Sequence, residues 1–136
     1  MTFELQQRDV EGIAIVDVSG HLVAGDPVAK LRQYVSEIEA KDIILNLKQV
    51  GMIDSSGLGV LIACQGMKAQ AEGDVRLLKL SKRSAQLMIL TKLTTIFQIF
   101  DDEQAAVNSF FVGREVKKFD ILEFVQSQED EPAADA

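Results

Sequence analysis

The sequence predicts an α/β domain with a mixed sheet of four to five strands and about four helices. Three observations carry that expectation. A short β-branched apolar run occurs at Ile13 to Val18 and a near-continuous apolar one at Ile43 to Leu47, and Val75 to Leu80 reads as a third strand. Segments of helical spacing separate them, and such alternation implies parallel strands joined by helical crossovers. A further run, Thr2 to Gln7, precedes the first and turns back on it near Asp9 to Gly12. That pair reads as a hairpin, which makes the sheet mixed.

After Gly20 the first helix is expected at Asp26-Pro27, because aspartate caps well and proline is tolerated at the first helical position. Val28, Leu31, Val35 and Ile38 then share one helix face. Ile43-Ile44-Leu45-Asn46-Leu47 is the next strand. Asp54-Ser55-Ser56-Gly57-Leu58-Gly59 leads into a helix that runs to about Ala71 and stops at Gly73. Val75 to Leu80 is a strand, and Ser81 caps a helix holding Leu87, Met88 and Leu90. Ile96 to Phe100 is a last short strand. Asp101 with Gln104 has the capping-box pattern for a final domain helix, which Gly113 would stop.

Beyond Gly113, Val116, Phe119, Leu122 and Val125 recur every third residue, which favours a short amphipathic helix. That stripe is too apolar to stay in water, so it folds back on its own domain or docks on a second copy, as a homodimer. The expected organisation is a domain over residues 1–113, a packed extension over 114–126 and an acidic disordered tail over 127–136.

Composition narrows the function classes. The chain has 136 residues, 47% of them hydrophobic and 26% charged, and a net charge of −7. Much of that charge sits in the tail, where Glu129, Asp130, Glu131 and Asp135 are unopposed by any base. A mildly acidic domain without a basic stripe argues against nucleic acid as a partner, and against anionic lipid. One cysteine, Cys64, excludes an internal disulfide and suits a reducing cytosol. Met1 to Val10 lack the apolar core of a signal peptide, and no apolar run approaches the ~20 residues of a membrane helix. A cytoplasmic protein without membrane insertion is expected.

The informative stretch is residues 52–61, Met-Ile-Asp-Ser-Ser-Gly-Leu-Gly-Val-Leu. A strand ends and a helix begins there, and the first helical turn has N–H groups without internal partners. Asp54, Ser55 or Ser56 can each cap them. The two glycines cost about 1 kcal/mol each inside a helix. Either ordinary capping with a tight helix–sheet contact explains them, or something outside approaches this turn.

Placed after a strand of the Ile43-to-Leu47 type, Asp-Ser-Ser-Gly-Leu-Gly-Val-Leu resembles the signature of STAS-domain anti-sigma factor antagonists of bacteria. The order of elements is similar from about residue 3 to residue 111. The resemblance implies that Ser55 is a phosphoacceptor. It implies a partner-binding surface of Asp54, Ser55, Ser56, Gly57, Leu58 and Gly59, and an anti-sigma factor serine kinase with a histidine-kinase-like ATPase fold as partner. The unphosphorylated form binds that kinase and frees sigma factor; the phosphorylated form does not bind, and a phosphatase restores it. Two features depart from the pattern. Many members carry an acid soon after the Gly-x-Leu of the second strand, where Gly20-His21-Leu22 is here followed by Val23. The extension past Gly113 is also longer than the minimal domain.

Other classes find less support. A serine nucleophile at Ser55 or Ser56 needs a base, and the only histidine, His21, lies far off in sequence with no orienting group near it. No Gly-Lys-Ser/Thr follows the glycines, so a phosphate loop is missing. No Cys/His cluster offers a metal site. Cys64, Phe97 and Phe100 read as core, Lys82 and Arg83 as a solvated helix start. Arg114, Lys117 and Lys118 read as solvated, or as snorkelling over the domain. No catalytic residue, cofactor or metal is therefore expected. The rival within the binding class is a STAS subunit of another assembly, a stress-signalling complex or a lipid-transport system, with no phosphorylation switch.

Overall fold

The computed structural model describes residues 2–127; the tail expected at 127–136 lies outside them from residue 128 on. The elements run β1 (Glu4–Val10), β2 (Ile13–Leu22), α1 (Asp26–Glu37), β3 (Asp42–Ile53), α2 (Ser55–Gln70), β4 (Asp74–Leu78), α3 (Lys82–Leu90), a 3-10 turn (Leu93–Thr95), β5 (Ile99–Phe100), α4 (Glu103–Asn108) and α5 (Ile121–Gln126). The strands form one five-stranded sheet whose order follows the chain, β1 to β5. β1 and β2 are the antiparallel hairpin, and every later pairing is parallel.

The two-residue period of the strands divides their apolar residues between two faces. Ala14, Val16 and Val18 of β2, Ile43, Leu45 and Leu47 of β3, and Val75 and Leu77 of β4 join the larger core. Leu31 and Val35 of α1, Leu58, Leu61 and Cys64 of α2, and Ala85 and Met88 of α3 cover that face. Ile13, Ile15, Ile44 and Leu78 point the other way, where α4 packs through Ala105, Ala106 and Val107, joined by Phe110, Phe111 and Val116. Phe97 and Phe100 are both buried, as core residues.

Local chemistry shifts several expected boundaries. The cap of α1 is Gly25 rather than Asp26. The turn out of β2 needs a φ of 99° at residue 25, which glycine adopts without strain. Asp26 therefore falls inside the first turn, where its carboxylate still faces the positive end of the helix dipole. Ser81 caps α3 as expected, accepting from Ser84 N–H at 3.1 Å. The cap of α4 is Asp102, accepting from Ala105 N–H at 2.8 Å, and not Asp101. Gln104 turns instead to Asn108. The run expected as a strand from Ile96 becomes one only at Ile99, because the chain is still leaving the 3-10 turn at Ile96, which stays 46% exposed.

The extension folds back on its own domain, but not as one long amphipathic helix. Only its last part is helical, started by Asp120, whose side chain accepts from Glu123 N–H at 3.0 Å. Ile121, Phe124 and Val125 pack on the larger core, and Val116 on the smaller. The Phe119 ring lies 5.3 Å from that of Phe124. Leu122, expected in the buried stripe, points to solvent and is 55% exposed, since the helix begins too late to carry all four residues on one face. Arg114 finds an internal partner: its guanidinium grips Glu11 at 2.7 and 3.1 Å and stacks on Phe111. Among the described residues no helix is long and apolar enough to cross a membrane.

Candidate functional site

The site lies where β3 hands over to α2. Ile53 pairs with Leu22 at the end of β2, and the next N–H, that of Asp54, donates to the Leu22 carbonyl at 3.3 Å. Asp54 is the residue that caps α2. One carboxylate oxygen accepts from Gly57 N–H at 2.8 Å, and the other from Ala24 N–H at 3.0 Å. These N–H groups, Ala24 first and Gly57 second, hold its pKa below the ordinary 3.8, so it is charged at neutral pH. Asp54 thus fastens the loop after β2 to the first turn of α2.

The two glycines do different things. A Cβ on Gly57 would lie 2.2 Å from the Leu22 carbonyl oxygen and 2.8 Å from Ile53 Cγ2, so the helix seats on β2 through the missing side chain. That is the tight helix–sheet contact. Gly59 is different: a Cβ there meets nothing within 4 Å, and the residue is exposed. No internal contact explains a glycine at that position.

Of the six residues expected to form the partner surface, Ser55, Ser56 and Gly59 are exposed and Asp54 is half-buried. Gly57 and Leu58 are buried, and support the surface from beneath instead of presenting it. Ser55 is the first residue of α2, and no hydrogen bond to its hydroxyl is made among the described residues. Two apolar residues that sequence reasoning did not single out flank it, Met52 at 41% exposure and Ile62 at 42%. Helical spacing could not mark Ile62, because α2 is apolar on all sides. From Ser55 to Met67 the helix carries no charged residue.

The ring of His21 lies against Gly51, where a Cβ would come within 2.6 Å of it, and among the described residues no hydrogen bond joins it to Ser55 or Ser56. Cys64 is fully buried, and burial pushes its thiol up to about 11, so it stays protonated and inert. Where an acid follows the Gly-x-Leu in many similar proteins, Val23 is half-buried here, and the next acid along the chain is the exposed Asp26. Among the described residues no group of three or more His, Cys, Asp or Glu side chains could hold a metal. The sheet order also runs without reversal, so it lacks the crevice at which open α/β sheets take small ligands beyond their strand ends. The site is a surface, suited to another surface.

Comparison with known proteins places these features in context. The sequence model of a protein family described as the STAS domain matches residues 4–106. The chain is 26% identical over 115 residues to an anti-sigma F factor antagonist of Paenibacillus polymyxa, covering 82% of this chain and 98% of that protein. Its fold is similar to that of a candidate anti-sigma factor antagonist from Thermotoga maritima, with a TM-score of 0.72, 21% identity, and 77% and 92% of the two chains covered. It is also similar to the Bacillus cell fate determinant SpoIIAA in its phosphorylated form, with a TM-score of 0.63, 19% identity, and 80% and 99% covered.

Proposed function

Because this chain belongs to the STAS domain family, we propose that it is an anti-sigma factor antagonist, and that phosphorylation of Ser55 switches its hold on an anti-sigma factor serine kinase. It acts in the cytoplasm by binding, without cofactor or turnover. The observation that carries this reading is Ser55 itself: exposed, its hydroxyl without a hydrogen bond among the described residues, and first in a helix that another residue already caps. Its hydroxyl is not needed to hold the fold, so it is available to a kinase.

The switch follows from charge. Phosphate adds about −1.5 to −2 charges at pH 7. At a helix N-terminus the dipole favours that charge, so the fold tolerates it. The partner does not. Ser55, Ser56, Gly59, Met52 and Ile62 offer an uncharged patch, which a partner covers with neutral contacts. A dianion in that contact beside Asp54 is desolvated and unpaired, at a cost of several kcal/mol, or a loss of affinity by orders of magnitude. A phosphatase then returns the surface to its binding form.

The test uses two variants. Ser55→Ala removes the acceptor and leaves the patch neutral, so it should bind the kinase captured from the source cell and not let go when ATP is added. Ser55→Asp should fold equally well and bind at least ~100-fold more weakly, the equivalent of ~3 kcal/mol. Equal affinities for the two, with both folded, would remove the switch. Recovery of a membrane transport complex in place of an ATP-binding kinase would favour the reading as a subunit of another assembly.

A further inference from the structure

A cleft of about 550 Å³ opens at the outer edge of the sheet, between β5 and the extension. Its volume falls within the roughly 300–1,000 Å³ of small-ligand sites. Phe97, Ile99 and Phe100 form one wall, and Val116, Lys118 and Phe119 the other. The second wall lies beyond residues 4–106, the stretch that matches the family, so the cleft is a property of this chain and not of the shared domain.

Its chemistry is mixed in a particular way. The apolar wall residues belong to both cores, Phe97 and Ile99 to the larger and Phe100 and Val116 to the smaller. The cleft therefore straddles the outer edge of the sheet. β5 bonds to β4 through the carbonyls of Gln98 and Phe100, which accept from Leu77 and Lys79 N–H at 3.0 and 2.8 Å. Alternation in a parallel ladder turns the N–H and C=O of the intervening Ile99 outward. Among the described residues no backbone hydrogen bond joins that edge to the extension. Lys118 is exposed and makes no ion pair among the described residues. An apolar slot thus carries a backbone donor and an ammonium, and among the described residues no carboxylate lines it.

We infer that this cleft binds an amphiphilic carboxylate of the fatty-acid class, its chain against the half-buried Ile99, Val116 and Phe119 and its headgroup at Lys118 and the Ile99 N–H. An ammonium attracts the carboxylate, and the apolar walls take the hydrocarbon out of water. A cationic amphiphile of the same length meets no counter-charge among the described residues of the slot.

The experiment titrates the full-length, isotope-labelled protein with decanoate below its micelle concentration and follows the backbone amides. Saturable shifts are expected at Ile99, Phe100, Val116 and Phe119. Lys118→Gln, an exposed change that leaves the core intact, should weaken decanoate about tenfold or more. Decyltrimethylammonium should bind the wild type more weakly than decanoate by a similar factor. The inference is overturned if decanoate causes no saturable shift at these amides, if Lys118→Gln binds it as tightly as wild type, or if the cationic chain binds equally well.

Discussion

Alanine at Gly57 and alanine at Gly59 should change stability in opposite directions, although the two residues sit two apart in the same helical turn. A methyl group on Gly57 would stand 2.2 Å from the Leu22 carbonyl oxygen, where unstrained contacts need more than an ångström of further room. That oxygen cannot retreat easily, since it accepts the Asp54 N–H and belongs to a strand paired with β3. Overpacking of this kind costs about 1–3 kcal/mol, and the rigid obstacle argues for the upper end. Alanine recovers about 1 kcal/mol of helix propensity, so a net loss of about 1–2 kcal/mol is expected. At Gly59 nothing obstructs the methyl, and only the propensity gain of about 0.5–1 kcal/mol remains. The variants should therefore differ by about 1.5–3 kcal/mol, or roughly 10 °C in Tm for a domain of this size. Urea unfolding followed by circular dichroism, with unchanged slopes, measures the gap. Gly57→Ala as stable as wild type, or Gly59→Ala clearly less stable, would refute the seating of α2 on Leu22. If Gly59 is bare to admit a partner, the stabilised Gly59→Ala should also lose affinity for the kinase.

Three further outcomes follow from the same geometry. Asp54→Ala removes the cap of α2 and the tie to Ala24, and should cost about 1–2 kcal/mol in urea unfolding; a loss below ~0.5 would show that neither bond matters. Asp54 and Asp17 both titrate below the ordinary 3.8, Asp54 through backbone N–H groups and Asp17 chiefly through Arg8. The stability they contribute is present above the unfolded value and lost as pH falls through the lower folded values, so urea midpoints should hold from neutral to about pH 4, then drop. Asp54→Asn should make that drop shallower, and an unchanged acid limb would contradict it. Phe124→Ser should release α5 from the core, raising amide exchange across residues 121–126 while β2 and β3 stay protected; exchange rising equally in the central strands would mean that α5 is part of the global core.

Much of this architecture is legible in the sequence because local and tertiary preferences agree. Ile43, Ile44 and Leu45 are buried on both faces of the sheet, so that run is almost continuously apolar and hard to misread. Ser81 caps because nothing competes with it. The strand-to-helix turn at Ser55 is legible for the same reason. Legibility fails where tertiary geometry chooses between near-equal local options. Asp26 and Asp101 are both good caps beside the residue that does the work, Gly25 or Asp102, and only the direction of the incoming chain decides. β3 runs on through Lys48 and Gln49 to Ile53, past the apolar run that marks its start, because β2 supplies ladder partners to its end across register shifts after Asp17 and Gly20. The split role of the site glycines is a matter of which backbone lies opposite, and the motif Gly-Leu-Gly does not encode that. The Ala24 N–H on Asp54 carries no sequence signal at all, since any non-proline residue supplies it.

The strand order has a consequence for synthesis. Each strand pairs with the one made just before it, so no segment must wait for a distant partner as the chain leaves the ribosome. At about 5–20 residues per second the hairpin, and then each crossover unit, has time to settle before the next emerges. The exception is the extension. Among the described residues it is the segment beside the β5 edge and against α3, and it comes after every strand of the sheet, so a chain cut before residue 121 keeps its strand pairings and leaves that seam open.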